Sequence, residues 1–314
     1  MKYINTFREG ERIADVYLVK SKKRAETKAG KPYDNVVLQD KTGTIEAKIW
    51  DVGSAGIEEF DALDYVYVGG DVSIFMEKPQ LTIRRAKVCQ PGEYDPTDYL
   101  PVSEHDIEQM YTELLGFVDS VHDIHYHAVL EGFFKNPEIK KAFCFHSAAK
   151  SVHHGFVGGL LEHSLSVTRN CDFFAKNYPI LDRDLLVTAA MLHDIGKIKE
   201  LSKFPENDYT DAGQLLGHIV IGAEWVGEVI RTIADFPVSK ANQLKHCILA
   251  HHGEMEFGSP KKPALVEALA LSFADNVDAK METWKETMST VAENDYGWQG
   301  FNRFLDTNIR RTES

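Results

Sequence analysis

Hydrophobic and polar residues alternate along most of residues 1–90. The alternation is clearest in TIEAKIWDV, and related apolar, β-branched and aromatic runs are RIADVYLVKSKKRA, YDNVVLQD, YVYVGGDVSIF and LTIRRAKVC. A period of two places successive side chains on opposite faces of a strand, and turn residues such as DKTG separate the runs. The pattern predicts about five β-strands, which suit a small closed barrel because closure removes exposed strand edges.

The periodicity changes after PGEYDPTDYLPVS, a stretch with three prolines and no repeat. From Glu104 onward, apolar residues recur at i, i+3 and i+4, which is the spacing of a helix with one buried face. The clearest runs are DIEQMYTELLGFVDSV, HAVLEGFFKNPEIKKAF, LLEHSLSVTRNCDFFAKNY, DRDLLVTAAMLHDIG, AEWVGEVIRTI and PALVEALALSFADNVDAKMETW. The sequence therefore predicts a multidomain chain, with an all-β domain at 1–90, a linker at 91–103 and an all-α domain at 104–314 that ends in a frayed tail, NIRRTES.

The composition is typical of a soluble globular protein, with 43% hydrophobic and 26% charged residues. No apolar run approaches the roughly 18 residues that span a bilayer, and the N-terminus has no apolar signal core. The cysteines are widely spaced, form no CxxC motif and number four: Cys89, Cys144, Cys171 and Cys247. We therefore expect a cytoplasmic protein with no membrane partner.

The net charge of −13 is distributed unevenly along the chain. Residues 1–90 hold 15 Lys and Arg against 14 Asp and Glu, whereas the rest of the chain holds 20 against 34. The acidic part cannot attract a polyanion through its overall field, although a metal centre or a local basic groove would still do so. The strand number and turns of residues 1–90 resemble an OB-fold, which commonly binds single-stranded nucleic acid.

Several side chains of the predicted barrel suit contacts with a nucleic acid. The candidate stacking platforms are Tyr17, Tyr33, Trp50 and Phe75. The candidate phosphate contacts are Lys20, Lys22, Lys23, Arg24, Lys48, Arg84 and Arg85. The alternative is structural, since the aromatic residues would then fill the barrel core and SKKRAETKAGK would be a solvated loop.

Eight of the thirteen histidines lie between residues 153 and 252, and several interrupt apolar runs. A buried imidazole or carboxylate is costly without partners, and one shared metal ion would satisfy several of them. Imidazole with carboxylate suits Mn, Fe, Co, Ni or Zn. The residues in this setting are His163, His193, Asp194, His218, His251, His252, Asp275 and Asp278. Any single histidine can instead be a hydrogen-bonded core residue, and for His252 and Asp278 a supporting role is as good an interpretation as ligation.

The most informative stretch is MLHDIGK, which places His193 and Asp194 side by side in an apolar run. Adjacent residues on a helix point about 100° apart, so this pair would grip one ion from a helix end, or the carboxylate would bridge two ions. Gly196 would help to end the helix and let other groups approach. Lys197 follows Asp194 by three residues, on the same face, where it would stabilise charge on a scissile phosphate.

These motifs resemble a known family. HHGFVGGLLEHSL, MLHDIGK, GQLLGHIVIG, AHHGE and ADNVDA are similar to the motifs of HD-domain metal-dependent phosphohydrolases. With TGTIEAKIWD in the preceding barrel, nearly the whole chain resembles the YhaM-type 3′–5′ exoribonucleases. The resemblance implies an OB-fold barrel followed by an HD helical bundle. It also implies a divalent transition metal, with manganese favoured, as one or two ions per chain.

The resemblance also implies roles for individual residues. A first ion would take His163, His193, Asp194 and Asp275. A second ion would share Asp194 and take His218 and His251. Some HD enzymes carry a glutamate one turn before the first histidine, but Gly159 stands there in this chain, which argues against an expanded site of that kind. His154 would meet the substrate phosphate together with Lys197.

The implied reaction is metal-dependent hydrolysis of single-stranded RNA from its 3′ end, which releases nucleoside 5′-monophosphates. Single-stranded DNA is an open second substrate, and a homo-oligomer is an open assembly. One alternative is an HD phosphohydrolase of dNTPs, (p)ppGpp or cyclic dinucleotides, which would leave the barrel without a role. The other is a non-enzymatic binder in which the barrel grips single strands and the helical domain is a scaffold.

Overall fold

The computed structural model describes residues 1–27, 29–76, 78–150, 154–289 and 291–313. They form two compact units. One comprises Met1–Val102 with Phe204–Glu206, and the other comprises Ser103–Lys203 with Asn207–Ser314. Each unit has its own hydrophobic core, so each is described by itself.

The first unit contains a closed β-barrel. Its strands are β1 (Arg12–Glu26), β2 (Pro32–Asp40), β3 (Gly43–Ile49), β4 (Tyr65–Phe75) and β5 (Lys78–Val88). They are hydrogen-bonded in the order β1-β2-β3-β5-β4, and β4 pairs back onto β1. Neighbouring strands are antiparallel except for β3 and β5, which run parallel. Strand number, order and closure confirm the predicted OB-fold barrel.

The alternation seen in the sequence defines the interior of this barrel. In β3, Ile45, Ala47 and Ile49 are buried while Glu46 between them is exposed. The long strand β1 pairs with β4 through its first half and with β2 through its second half. A β-bulge between Val19 and Ser21 bends β1 between these two partners, as barrel closure requires.

The segment expected to be a linker packs on the barrel instead. The ring of Tyr94 stacks on Tyr65 with 3.8 Å between the centroids, and Tyr99 and Leu100 are buried. The side-chain amide of Gln39 donates to the carbonyl of Tyr99 over 3.1 Å. Because these apolar side chains have a barrel surface to cover, the first unit extends to Val102.

The second unit is built mainly from helices. They are α1 (Ile107–Asp119), α2 (Ile124–Phe134), α3 (Pro137–Phe145), α4 (Gly159–Asn177), α5 (Arg183–Leu192), α6 (Lys197–Glu200), α7 (Asp211–Thr232), α8 (Val238–Ala250) and α9 (Val266–Ser289). Side-chain caps define several helix starts: Asp106, Asp123, Asn136, Asp182 and Thr210 each accept a backbone N–H from the first turn. This bundle confirms the predicted helical domain.

Helix α5 lies inside the bundle. Every residue from Leu185 to Leu192 is buried, which is typical of a helix that is apolar on all sides. It packs against α2, α4, α8 and α9. Its C-terminal end therefore delivers the residues that follow it, His193 and Asp194, to the interior of the unit.

Three details differ from the sequence-based expectation. The run at residues 127–143 forms two helices, because Asn136 caps α3 and Pro137 opens it. The C-terminal part is not all-α, since β6 (Trp298–Asn302) and β7 (Thr307–Arg310) form an antiparallel pair. The tail through residue 313 is not frayed at its start either, because Ile309 in β7 is buried. In the part of the chain that the structure describes, no helix combines the length and apolarity needed to cross a membrane.

Candidate metal centre

The predicted ligands come from separate helices of the second unit and meet at one place. His163 lies in α4, Asp275 lies in α9, and His193 and Asp194 directly follow α5. His251 directly follows α8 in the same way. His218 lies in α7 just after Gly217, whose φ of +74° interrupts the helix in a conformation suited to glycine.

One group of ligand atoms surrounds the Nε2 atom of His163. This atom lies 3.1 Å from Nε2 of His193, 3.3 Å from Oδ2 of Asp194 and 3.2 Å from Oδ1 of Asp275. Nε2 of His193 is itself 3.4 Å from Oδ2 of Asp194. Two imidazole nitrogens and two carboxylate oxygens thus converge, which is a ligand set for a first-row transition metal.

A second group surrounds the other oxygen of Asp194. Oδ1 lies 3.4 Å from Nε2 of His218 and 3.7 Å from Nε2 of His251. These three atoms are buried and have no hydrogen-bond partner among the described residues. Buried polar atoms without partners are costly, and a cation bound between them would satisfy all three. The residues present therefore fit a divalent metal.

The Nδ1 atoms of the same histidines are held by acceptors. Nδ1 of His193 donates to the carbonyl of Ala190, and Nδ1 of His251 donates to that of Ile248, each over 2.7 Å. Nδ1 of His163 donates to Asp278 over 2.7 Å. An acceptor at Nδ1 fixes the proton there and leaves the Nε2 lone pair free for a metal. The backbone after each helix thus sets the tautomer that ligation needs.

Glu200 supports His218 and was not identified from the sequence. Its Oε1 accepts both Nδ1–H and the backbone N–H of His218, each over 2.9 Å. Burial raises the pKa of Glu200, but its hydrogen bond with His218 outweighs this and lowers the pKa overall. The only signal in the sequence is a glutamate in the apolar-flanked stretch KIKEL, which periodicity alone does not separate from a surface residue.

The two residues with uncertain roles lie on different sides of the ligands. Asp278 accepts from His163 and from Ser166, so it serves as a hydrogen-bond acceptor behind a ligand. His252 donates from Nδ1 to the carbonyl of Phe257 over 2.7 Å. His252 also forms a group with His218 and His251 in which one potential ligand atom of each residue lies within 4.8 Å of the others.

Charge at the centre is dominated by Asp194. Burial raises the pKa of this carboxyl, but Lys197, His193 and His163 together lower it well below its usual range. Burial lowers the pKa of Lys197, and the carboxylate of Asp194 raises it above its usual value. Burial lowers the pKa of His251 well below its usual value, and neighbouring His252 and His193 add to this effect. His251 is therefore a neutral imidazole, as a metal ligand must be.

The two predicted phosphate contacts lie at the edge of the ligand cluster. Nζ of Lys197 is 2.7 Å from Oδ2 of Asp194. Nε2 of His154 is 3.0 Å from Oδ2 of Asp278, and this histidine has a φ of +58°. Both residues line a cavity of about 180 Å³ that also borders His163 and Asp275. His153, the neighbour of His154, lies outside the described residues.

Gly159 and Gly196 allow close backbone approaches at this centre. A Cβ atom on Gly159 would lie 2.0 Å from the carbonyl oxygen of His154. A Cβ atom on Gly196 would lie 2.0 Å from the carbonyl oxygen of His218. These glycines let the chain bring His154 and His218 against their neighbours, which a larger residue would prevent.

The candidate stacking platforms of the barrel differ in how far they are exposed. Tyr33 and Trp50 stack with 4.9 Å between their ring centroids, and 45% of Trp50 is exposed. Nζ of Lys48 lies 5.2 Å from the centroid of the Tyr33 ring. Phe75 is exposed near the end of β4. Tyr17 is fully buried and donates to the carbonyl of Lys2, so its prediction as a platform is wrong.

The candidate cations differ in how far they are engaged within the barrel. Lys22 is only 12% exposed, donates to the carbonyl of Phe60 and pairs with Asp34. Arg24 makes two hydrogen bonds to Asp34 but keeps 56% of its side chain exposed. Arg84 pairs with Asp71 and is also largely exposed. The other candidates in this set are exposed or half-buried: Lys20, Lys23, Lys48 and Arg85.

Comparisons with known proteins agree with this geometry. The HD domain family matches residues 160–280. The 3′–5′ exoribonuclease YhaM of Geobacillus sp. (strain WCH70) is 34% identical over 299 residues, which cover 94% of this chain and 90% of that protein. The 3′–5′ exoribonuclease YhaM of Bacillus subtilis (strain 168) is 33% identical over 290 residues, which cover 91% of each chain. The chain belongs to the YhaM family of 3′–5′ exoribonucleases.

Membership of the YhaM family confirms the predicted reaction class, a metal-dependent exoribonuclease that hydrolyses phosphodiester bonds. A solved structure with similarity to this chain is the second OB-fold domain of replication protein A from Methanococcus maripaludis. It is 19% identical and covers 30% of this chain and 98% of its own, with a TM-score of 0.22. A TM-score this low carries no conclusion, and the OB-fold assignment rests on the strand order of the barrel.

Proposed function

We propose that this YhaM-family protein acts in the cytoplasm on single-stranded RNA and releases nucleoside 5′-monophosphates from the 3′ end with two Mn²⁺ ions. The observation that carries the proposal is the position of Asp194. Its Oδ2 faces the nitrogens of His163 and His193, and its Oδ1 faces those of His218 and His251. A carboxylate with each oxygen directed at a separate set of imidazoles is suited to bridging two ions.

The ligand chemistry is compatible with manganese, which the family resemblance favours. The donors are imidazole nitrogens and carboxylate oxygens, without a thiolate, and this mixture suits Mn²⁺ as well as Fe²⁺, Co²⁺ and Zn²⁺. In this arrangement His163, His193 and Asp275 would hold one ion, His218 and His251 would hold the other, and Asp194 would contribute to both. When bound, the two ions activate a water and stabilise the attacking and leaving oxygens of an in-line displacement.

The protein's own groups position the phosphate and stabilise its charge. Lys197 keeps its positive charge because Asp194 raises its pKa, and one of its three N–H donors can turn from Asp194 to a phosphoryl oxygen. His154 donates to Asp278, which in turn accepts from His163. His154 is therefore a positioning residue for the first histidine ligand, and it lines the cavity in which the scissile phosphate would lie.

The barrel would bind the strand upstream of the 3′ end. The exposed Trp50 stacked on Tyr33 offers an aromatic face for a base, with Lys48 beside it for a phosphate. Lys23, Arg24 and Arg84 would add phosphate contacts. Lys22 would support this surface through its contacts with Asp34 and Phe60. Stacking and phosphate contacts do not read a 2′-hydroxyl, so the same surface would also bind single-stranded DNA.

The deciding experiment uses a 5′-labelled single-stranded RNA and the matching DNA, with Mn²⁺ or with a chelator. The wild type should shorten RNA from the 3′ end, the chelator should stop the reaction, and Asp194→Asn should be inactive. Asp211→Asn, which changes an exposed aspartate at the start of α7, is the matched control and should stay active.

Two further measurements, one of the product and one of the bound metal, test the finer parts of the proposal. Mass spectrometry should identify nucleoside 5′-monophosphates, and internal cuts or 3′-phosphates would contradict the mechanism. Anomalous scattering at the manganese edge should locate two Mn²⁺ ions at the ligand cluster, and a single ion there would remove the bridging role of Asp194.

A further inference from the structure

A second cavity lies in the helical unit, next to Asp278. Its volume is about 450 Å³, and its lining includes Asp106, His154, Glu162, Asp278, Glu282 and Lys285. Acidic side chains outnumber basic ones among these six. Such a cavity repels the phosphates of a nucleic acid and attracts a cation.

His154 presents a nitrogen with no partner to this acidic lining. The side chain is 3% exposed, and its Nε2 lies 3.0 Å from Oδ2 of Asp278. Because a carboxylate accepts hydrogen bonds, Nε2 donates to Asp278, and Nδ1 is the nitrogen that faces the rest of the acidic lining. Nδ1 is buried and has no hydrogen-bond partner among the described residues.

Two carboxylates face this nitrogen. Oε1 of Glu162 lies 4.0 Å from Nδ1 of His154, while Oε2 of Glu162 accepts from the hydroxyl of Ser103 over 2.5 Å. Glu282 contributes a further oxygen, and the ligand atoms of His154, Glu162 and Glu282 all lie within 4.8 Å of one another. Ligand atoms of one tetrahedral ion lie about 3.4 Å apart, because each bond is about 2.1 Å long. The three atoms would therefore close on a shared ion by rotation of the two glutamate side chains.

We propose that His154, Glu162 and Glu282 bind a further divalent transition-metal ion, separate from the HD ligands. A buried nitrogen without a hydrogen-bond partner faces two carboxylates there, and a cation bound among the three groups would satisfy all of them. One imidazole with two carboxylates suits Mn²⁺ or Zn²⁺ better than Mg²⁺, which prefers oxygen ligands and its own waters. Lys285 lies 3.4 Å from Glu282 and also 3.7 Å from Glu104, so it keeps a partner when Glu282 turns to the ion.

The ion would hold the ring of His154 from the side opposite Asp278. Asp278 accepts from both His154 and His163, so the further ion is linked to the first histidine ligand through one carboxylate. It touches neither substrate nor the reacting atoms in this arrangement, and its role is to position His154.

The test is anomalous scattering at the manganese edge from crystals of the full chain soaked in Mn²⁺. We expect a peak about 2.2 Å from Nδ1 of His154, in addition to the peaks beside Asp194. Glu282→Gln should abolish this peak alone and lower the Mn²⁺ content in solution by one ion per chain. Glu228→Gln, which removes the same charge from an exposed position on α7, should leave every peak in place.

The outcomes separate this proposal from the nuclease mechanism. The further site is overturned if the wild type shows no peak at His154, or if the peak persists in Glu282→Gln. In either case, the peaks beside Asp194 show that the protein is folded and has bound Mn²⁺. Asp194→Asn should remove density at the HD ligands and keep the peak at His154. Loss of both in Asp194→Asn would show that the two sites are not separate.

Discussion

The Nζ atom of Lys197 lies 2.7 Å from Oδ2 of Asp194, and the two residues are three positions apart in the chain. The aspartate is fully enclosed, whereas 16% of the lysine side chain is exposed. Burial would neutralise either group alone, but each keeps the other charged. The pair thus carries a permanent cation to the one carboxylate that faces both groups of histidines.

Replacing this cation should slow the chemical step. We expect Lys197→Met to lower kcat on single-stranded RNA by about 10²–10³-fold, because the variant loses a donor to the transition-state charge. The Mn²⁺ content measured by elemental analysis should be unchanged. Lys199→Met is the control, since Lys199 is exposed and two residues away. A variant that loses its metal together with its activity would instead assign Lys197 to holding Asp194.

Because Glu200 accepts a hydrogen bond from His218, we expect that removing the Glu200 carboxylate weakens metal binding. Glu200→Ala leaves Nδ1 of His218 without its acceptor and frees the ring to rotate. Removing such a supporting group typically weakens metal binding about 10–100-fold. Titration with Mn²⁺ should show this weakening in Glu200→Ala and none in Glu224→Ala, which changes an exposed residue of α7. Equal affinities in the two variants would argue that backbone contacts alone orient His218.

The stacked pair Tyr33 and Trp50 predicts where RNA binds. We expect Trp50→Ala to weaken binding of single-stranded RNA by about 1–3 kcal/mol, or roughly five- to 150-fold, through the loss of one stacking platform. Fluorescence anisotropy in an Asp194→Asn background avoids degradation of the probe. Phe173→Ala removes an aromatic residue that is 62% exposed on α4, and it should bind RNA like the parent. If Phe173→Ala weakens RNA binding more than Trp50→Ala does, the binding surface lies on the helical unit instead.

Two glycines predict opposite effects of the same substitution. Gly196→Ala places a Cβ atom 2.0 Å from the carbonyl of His218, so it should displace α7 and reduce both Mn²⁺ affinity and the melting temperature. Gly116→Ala lies in the exposed face of α1, where a Cβ atom meets nothing within 4 Å. It should stabilise the protein by about 0.4–1 kcal/mol, because alanine restricts the unfolded chain. Calorimetry with and without Mn²⁺ compares the melting temperatures of the two variants. A melting temperature of Gly196→Ala equal to that of the wild type would contradict the close approach of Gly196 to His218.

The sequence alone determined the class of each domain in outline and predicted most of the residues that meet at the candidate metal centre. Alternation in stretches such as TIEAKIWDV is a local property of a strand, and a period of two directly defines the barrel interior. His193 and Asp194 were equally visible, because two adjacent polar side chains in an apolar run have no favourable place in a core without partners. These inferences need only neighbours within a few positions along the chain.

Tertiary structure decided which polar group meets which. His163 finds its acceptor in Asp278, 115 residues away, and Ser103 meets Glu162 across 59 residues. No local pattern marks such pairs, so the sequence did not reveal the role of Glu200 and left open whether Tyr17 is a stacking platform or a core residue. The packing of residues 91–102 on the barrel and the pairing of β6 with β7 also depend on surfaces that exist only after folding. Periodicity predicts which face of an element is buried, whereas its partners are set by long-range packing.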